Sequence, residues 1–254
     1  RQILIVSRNE LYLSMRFLDV ALSSFTFVLD EGIGTIGTDG FSIFYGPAWL
    51  GGMFRENPVF VNRAYLHMAL HGIFRHMTGR GGRQKRYYDL ACDIAVESVI
   101  DGMTCRCVRQ PRSFLRRETY RKLEEAMKVL TAGKICQCLL SWDLSETKLE
   151  RLEAEFQADS HLYWPEDDPK KRQQIENQWQ DISEKTEMEM EGFSSEASSQ
   201  SGNLAKQIKV ENRQRFDYRK FLRKFAVLRE EMAVDPDSFD YVFYSYGLRL
   251  YGNL

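Results

Sequence analysis

Three of the four histidines of this chain lie within ten residues of one another, and their spacing constrains the fold more than any other feature. His67 and His71 are four residues apart in an apolar run, so an α-helix would carry both imidazoles on one face, one turn apart. Two imidazoles in that arrangement can bind a single metal ion. His76 would lie on the opposite side of a continuous helix, and it can reach the ion only if the helix breaks near Gly72.

A second predicted helix, at about residues 87–100, follows a short glycine-rich loop and carries Asp89, Asp93 and Glu97 at intervals of four residues. Three carboxylates on one helix face are costly unless solvent or a cation neutralises them. If this helix packs antiparallel against the histidine helix, its acidic face meets the histidine pair. We therefore predict Asp93 as the third ligand of the ion, with Glu97 and His76 as the alternatives for that position.

Both patterns also occur on solvated helices that bind no metal. Here the histidines are surrounded by apolar residues such as Leu70 and Ile73, and the acidic helix follows directly along the chain. This coincidence favours a metal site over a polar helix face.

Glu97 has three roles open to it: a ligand, a partner that orients a histidine, or a proton-transfer group. In zinc peptidases with the pattern H-E-x-x-H, the glutamate after the first histidine is the general base. Met68 occupies that position here, and a thioether cannot act as a base. We therefore predict Glu97 as the catalytic base if the domain hydrolyses peptides; otherwise the domain binds metal without hydrolysis.

Patterns elsewhere in the chain predict a mostly helical α+β fold. Asp39-Gly40 lies between two short β-prone runs and predicts a hairpin. We interpret residues 1–254 as one domain with an acidic, mobile insertion at about residues 165–203, where few side chains could be buried. The apolar spacing predicts further helices at about residues 10–29, 63–77 (with Asn62 as N-cap), 112–131 and 145–158.

Composition limits the classes of function. The 254 residues are 43% hydrophobic and carry a net charge of −1, so the chain can bury a core, and its overall charge does not favour nucleic acid. Basic stretches at residues 106–122 and 204–229 are expected to balance the acidic segment. The apolar runs fall short of the roughly 20 residues of a membrane-spanning helix. The first residues show no secretory pattern, and with few cysteines we expect a protein of the cytoplasm.

Two further groups of residues have an ordinary structural interpretation. Cys105-Arg-Cys107 and Cys136-Gln-Cys138 have one residue between the thiols, whereas structural zinc sites favour two to four, so we interpret them as reduced thiols. His161 is interpreted, with Trp164, as an anchor for the start of the acidic segment. The alternative places His161 in the metal cleft as a donor to the transition state.

Three motifs follow one another in the first part of the chain: Thr38-Asp-Gly, His67-x3-His71-x4-His76 and Tyr88-x2-Ala-x-Asp93. In their order and spacing, over about residues 10–100, the chain resembles the bacterial metallopeptidase domain that precedes a von Willebrand factor A-like domain. The pattern of that family is T-D-G, then H-E-x-x-H-x4-H, then W-x-x-A-x-D. The chain departs from it by Tyr88 for Trp, a mild change between aromatic residues, and by Met68 for Glu, which argues against full peptidase activity.

The resemblance implies a zincin-like core, with a small β-hairpin sheet beside two metal-site helices, and one zinc ion per chain held by His67, His71 and Asp93. It also implies an A-like domain beyond residue 254, a protein or peptide as substrate or client, and a MoxR-type AAA+ ATPase as companion. Two functions are therefore open. One is a zinc metallopeptidase, a hydrolase impaired by Met68. The other is a catalytically silent scaffold that keeps its metal for folding and docks the ATPase or a client.

Overall fold

The computed structural model describes residues 1–165, 168–192 and 203–214, which belong to one compact unit, Arg1–Gln214. A second unit, Arg215–Leu254, lies outside the described residues. The segment that would lead into an A-like domain, at residues 241–254, and most of the basic stretch at residues 204–229 lie there too. One domain over residues 1–254 therefore stays a prediction.

The described part is mostly helical with one small sheet, which confirms the predicted α+β class. The strands are β1 (Thr26–Leu29), β2 (Ile36–Thr38) and β3 (Ser42–Tyr45). The first helices are α1 (Gln2–Ser14), α2 (Asp19–Ser23), α3 (Pro47–Glu56), α4 (Pro58–Ile73) and α5 (Lys85–Gly102). They are followed by α6 (Phe114–Ala126), α7 (Ala132–Ser141), α8 (Glu146–Phe156), α9 (Pro169–Gly192) and α10 (Leu204–Gln214). Among these, no helix is both long and apolar enough to cross a membrane.

The predicted hairpin is confirmed in β2 and β3, which pair antiparallel on either side of Asp39-Gly40. The Asp39 carboxylate accepts hydrogen bonds from the backbone N–H groups of Phe41 and Ser42, and Gly40 adopts a φ of 96°, which favours glycine. β1 adds to the other edge of β3 in parallel, so the sheet order is β1-β3-β2. Local turn chemistry therefore sets this part of the fold.

The single helix predicted at residues 10–29 is wrong. α1 ends at Ser14, a short 3₁₀ turn and α2 follow, and Thr26–Leu29 is strand β1. The apolar spacing runs through α1, the 3₁₀ turn and α2 because each buries a residue in the same core, namely Leu11, Leu18 and Leu22, whereas Leu29 in β1 is exposed. Periodicity alone does not separate one long helix from several short elements on one core.

The histidine helix α4 begins one turn earlier than predicted. Asn57 is its N-cap, accepting a hydrogen bond from the Val59 N–H at 3.0 Å, and Pro58 occupies the first turn, where its missing N–H costs nothing. Asn62 therefore lies inside the helix and donates to the Cys107 carbonyl at 3.1 Å. From Val61 to Ile73 every residue of α4 is buried, so this helix is the centre of the core.

The acidic segment is predicted to be a mobile insertion, but most of it is helical: residues 169–192 form helix α9. Its buried residues recur every three or four positions, at Ile175, Trp179, Ile182, Thr186 and Met190, while the acidic side chains occupy the other face. A strongly acidic composition hid this amphipathic spacing. The insertion's remaining residues 166–167 and 193–202 lie outside the described residues.

Trp179 joins α9 to both the hairpin and the histidine helix. Its indole N–H donates to the Gly40 carbonyl at 2.9 Å. A Cβ at position 72 would lie 2.5 Å from the Trp179 ring, so this crossing of α4 and α9 requires Gly72. The hairpin and α9 are thereby packed against α4, next to the turn of the histidine helix that contains Gly72.

Candidate metal centre

The end of α4 determines where His76 lies. The helix ends at Ile73, and Arg75 takes a left-handed conformation with a φ of 55°, which turns the chain into a 3₁₀ turn that begins at His76. His76 Nδ1 thereby comes to 2.9 Å from His71 Nδ1. The helix break on which the role of His76 depended is therefore present, just after Gly72.

His67, His71 and Asp93 meet in the interior, on the facing sides of α4 and α5. The Nε2 atoms of the two histidines are 2.8 Å apart. Asp93 Oδ1 lies 3.3 Å from His67 Nε2 and 3.2 Å from His71 Nε2. The three residues predicted as ligands are thus brought together, with their donor atoms directed at one point.

Two residues that follow α8 complete this group. Asp159 Oδ1 lies 3.5 Å from His67 Nε2 and 3.9 Å from His71 Nε2. His161 Nε2 lies 3.0 Å from Asp93 Oδ1 and 3.4 Å from Asp159 Oδ1. We call this group the five-donor cluster; one donor atom from each member lies within 4.8 Å of every other, and its members are His67, His71, Asp93, Asp159 and His161.

These separations suit a small divalent cation. In a tetrahedral site with bonds of about 2.0–2.1 Å, the ligand atoms are about 3.3 Å from one another. The pairs given above fall on either side of that value, from 2.8 Å between His67 and His71 to 3.9 Å between His71 and Asp159, and no pair in the cluster exceeds 4.8 Å. Nitrogen and carboxylate oxygen are donors that zinc accepts.

Each of the two helix histidines uses its Nδ1 atom, its outer nitrogen, for a contact outside the cluster. The Nε2 atom of each, its inner nitrogen, is thereby directed at the cluster. His67 Nδ1 is 2.8 Å from Glu97 Oε1, a carboxylate that can only accept, so this nitrogen carries a proton and donates it. Burial tends to lower the pKa of His67, but the carboxylates of Asp93 and Glu97 outweigh it and raise the pKa to about 9. Burial and the charge of His67 lower the pKa of His71 to about 4.

At neutral pH the two inner nitrogens therefore share one proton, donated by His67 and accepted by His71. Two unprotonated nitrogens 2.8 Å apart would repel each other, so this position requires a proton or another cation. A divalent metal ion that binds here displaces the proton, as histidine ligation generally does.

The acidic members of the cluster are ionised. Burial tends to raise the pKa of Asp93, yet the neighbouring His161 and the two helix histidines hold it well below its usual range. The pKa of Asp159 is lowered as well, against its burial, chiefly by the charge of His161. Neither oxygen of Asp159 accepts a hydrogen bond of normal geometry from the described residues. A buried carboxylate is costly unless a cation balances it, and here the imidazoles of His161, at 3.4 Å, and His67, at 3.5 Å, do so.

Glu97 lies behind His67 and outside the five-donor cluster. One of its oxygens contacts His67 Nδ1, and the other accepts hydrogen bonds from Arg63 and Arg116. Burial would raise its pKa, but the charge of Arg63 and the contact with His67 hold it well below the usual range. Of the three roles considered for Glu97, these contacts favour the partner that orients a histidine.

The cluster is almost closed to solvent. His67 and His71 are fully buried, and the side chain of His161, stacked on Trp164 with ring centroids 3.7 Å apart, is 9% exposed. Two clefts border it. One, of about 510 Å³, is lined by Lys85, Arg86, Asp89, Asp93 and His161 among others, and the second, of about 350 Å³, by Trp49, Arg63, Glu97, Arg116 and Asp159 among others.

Sequence reasoning missed Asp159 and gave His161 a secondary role. His161 lies in the cluster, where its second interpretation placed it, and it also stacks on Trp164, the residue with which its first interpretation paired it. The signal was Asp159-Ser-His161, two metal-binding residue types separated by one residue directly after a helix. That signal is weak alone, because nothing local shows that the segment packs on α4. His76 contacts His71 Nδ1 and is not a member of the cluster.

A family model described as "Putative metallopeptidase domain" matches residues 6–240 of the chain. The matched region includes all five residues of the cluster. No curated protein and no solved structure matches the chain.

Proposed function

Because the chain belongs to this metallopeptidase-domain family, we propose that it binds one zinc ion per chain and that its peptidase activity is impaired. His67, His71 and Asp93 are the proposed ligands, and Asp159 and His161 supply further donors. The observation that carries the proposal is the convergence of five buried donors, one of them an ionised carboxylate with no hydrogen bond of normal geometry from the described residues. In the structure the charged imidazoles of His161 and His67 face this carboxylate, and a metal ion bound among the same atoms would take over that role.

The donor set fits zinc better than the other common ions of proteins. Imidazole suits zinc and other transition metals, whereas calcium and magnesium prefer sites made of oxygen. The cluster combines three imidazoles with two carboxylates. When bound in a metallopeptidase, zinc supplies Lewis acidity that polarises a peptide carbonyl and lowers the pKa of water.

Among the described residues, neither of the two positions considered for the general base, Met68 and Glu97, is suited to that role. Met68 follows the first histidine and is fully buried in the core. The Glu97 carboxylate is held by Arg63 and Arg116 and faces the outer nitrogen of His67. With both of its oxygens engaged and its pKa held low, Glu97 is poorly placed to accept a proton near the ion. We therefore assign Glu97 to the support of His67 and expect slow or no hydrolysis.

Elemental analysis of the purified protein tests the metal. We expect about one zinc per chain, lost in His71→Ala and retained in Met68→Leu, a matched substitution on the same helix that removes no donor. Absence of metal from the wild type after zinc is supplied would contradict the proposal.

The impairment is tested with an unfolded protein as substrate. We expect little cleavage by the zinc-loaded wild type and more by Met68→Glu, which restores a carboxylate after the first histidine. Met68→Gln is the control, because it has nearly the same shape and polarity but cannot act as a base. Rapid, zinc-dependent cleavage by the wild type would show that the domain is an active peptidase.

The remaining expectations are supported by the resemblance and not by the contacts of this chain. They are a zincin-like core, an A-like domain after residue 254, a bacterial cytoplasmic setting and a MoxR-type AAA+ ATPase as partner. The second candidate function is a catalytically silent scaffold, in which the metal stabilises the fold and the protein docks the ATPase or a client protein. Co-purification of the two proteins, with His71→Ala as the variant that loses the metal, tests it.

A further inference from the structure

Two thiols lie in contact at the 3₁₀ turn Arg106–Val108, between α5 and α6. The Sγ atoms of Cys105 and Cys107 are 2.8 Å apart. Non-bonded carbon atoms in a packed interior are usually about 3.5–4.0 Å apart, so this is a close approach even before the larger size of sulfur is considered. The two residues are 9% and 6% exposed, which places them at the edge of the core, where a small reagent can reach them.

The second cysteine pair of the chain shows that spacing alone does not produce this contact. Cys136 and Cys138 are also separated by one residue, but they lie within the regular helix α7. Side chains two positions apart on an α-helix point in different directions. Cys105 instead precedes its turn in an extended conformation, with φ −65° and ψ 127°, and Cys107 lies within the turn. The local backbone therefore decides which pair can react.

Hydrogen bonds from α4 hold this turn in place. The side-chain amide of Asn62 donates to the Cys107 carbonyl at 3.1 Å, and Arg63 Nη1 donates to the Val108 carbonyl at 3.2 Å. Both donors are buried on the central helix of the core. Because the turn is fixed before any bond forms, joining the two sulfur atoms costs little conformational entropy.

We propose that Cys105 and Cys107 are a reversible redox pair that closes to an intramolecular disulfide when a peroxide oxidises it. The Cys105 thiolate attacks one oxygen of hydrogen peroxide, the O–O bond breaks, and the leaving hydroxide takes up a proton to become water. This gives a sulfenic acid on Cys105. The Cys107 sulfur then attacks the Cys105 sulfur, the S–O bond breaks, and the second water leaves with the thiol proton. The two thiols lose two electrons and the peroxide gains them. A dithiol reverses the reaction by exchange.

The contact between the two thiols favours Cys105 as the attacking sulfur when Cys107 is the donor. In that arrangement the hydrogen bond lowers the pKa of Cys105 and raises the pKa of Cys107. The thiolate is the reactive form of cysteine, so Cys105 attacks the oxidant and Cys107 resolves the intermediate.

Arg106 lies between the two cysteines and provides a direct test. The folded, full-length protein is treated with a small excess of hydrogen peroxide, free thiols are alkylated, and trypsin then cuts after Arg106. We expect mass spectrometry to find the fragment of residues 87–106 joined to that of residues 107–109, and dithiothreitol to separate them. Cys138→Ser, which removes a thiol of the helical pair, should leave the joined species unchanged.

Cys105→Ser and Cys107→Ser should each abolish the joined species, and circular dichroism checks that these nearly isosteric variants fold. Oxidation of Cys138 shows that the peroxide treatment has worked. Absence of the joined species from such a treated wild type would overturn the proposal. Its persistence in Cys105→Ser would also overturn it, since the bond would then involve Cys92 of the same fragment.

Discussion

At the scale of single residues, His67 is the best-defined member of the cluster. Its outer nitrogen contacts Glu97 at 2.8 Å, and its inner nitrogen faces His71, Asp93 and Asp159. A carboxylate behind a ligating imidazole holds the ring orientation and the tautomer, and it makes the imidazole a stronger donor. Glu97 is in turn held by two arginines, so the support of the site extends beyond the cluster.

Replacing Glu97 by Gln should weaken zinc binding by about 10–100-fold, the usual cost of losing such a partner. The matched control is Glu155→Gln. Glu155 also accepts a hydrogen bond from Arg116, at 2.8 Å, but its ion pair is separate from the contact between Glu97 and His67. Competition with a coloured chelator measures both affinities. Equal affinities of Glu97→Gln and the wild type would contradict the assigned role.

Asp159 is the donor that sequence reasoning missed, and Asp159→Asn tests it with little change of shape. We expect a roughly tenfold or greater loss of zinc affinity, since the amide has no charge to offer the ion. Asp181→Asn, on the exposed face of α9, should bind zinc as the wild type does. The visible absorption of the cobalt(II)-loaded protein provides a second readout, because it reports the ligands directly. An unchanged spectrum and affinity would remove Asp159 from the ligand set.

At the scale of elements, α4 carries both the chemistry and the packing. Its histidines face α5, while Gly72 meets Trp179 of α9 on another side of the helix. The close crossing at Gly72 explains why an acidic helix far along the chain is part of the core. The burial of Trp179 also holds the hairpin, through the bond to Gly40.

Gly72→Ala should lower the free energy of unfolding by about 1–3 kcal/mol, the usual cost of overpacking, because the added Cβ would lie 2.5 Å from the ring of Trp179. At Gly52 on α3, an added Cβ would lie in open space. Gly52→Ala should therefore raise the free energy of unfolding by about 0.5–1 kcal/mol, because alanine has the higher helix propensity. Urea denaturation compares the two variants with the wild type. A Gly72→Ala protein as stable as the wild type would show that the crossing is not tight.

At the scale of the whole molecule, the cluster joins two consecutive helices to a segment much farther along the chain. Its members come from α4, from α5 and from the segment after α8. Because the unfolded chain does not hold these donors together, an ion that binds them stabilises the folded state. A metal ion bound at the cluster would therefore contribute to stability whether or not the domain hydrolyses peptides.

Zinc should accordingly raise the unfolding temperature and a strong chelator should lower it. At a free zinc concentration 100 times the dissociation constant, the gain is about 2.7 kcal/mol. For a unit of this size each kcal/mol corresponds to a shift of about 2–4 °C. Differential scanning calorimetry measures the shift, and His71→Ala at the same zinc concentration is the control. A melting temperature independent of zinc would argue against a metal bound by the cluster.

The sequence by itself determined the features that depend on neighbouring residues. The spacing of His67 and His71 on a helix, the facing position of Asp93 and the turn at Asp39-Gly40 follow from the period of an α-helix and the conformation of glycine. These are short-range effects, and a few residues contain all the information that they require.

Tertiary structure alone decided which distant groups complete the site. Asp159 and His161 approach α4 only because α8 delivers the chain beside α5, and Glu97 serves His67 because Arg63 and Arg116 occupy its other oxygen. The burial of α9 likewise depends on the space that Gly72 leaves for Trp179. These outcomes depend on contacts between segments separated by many residues, which a local pattern does not encode.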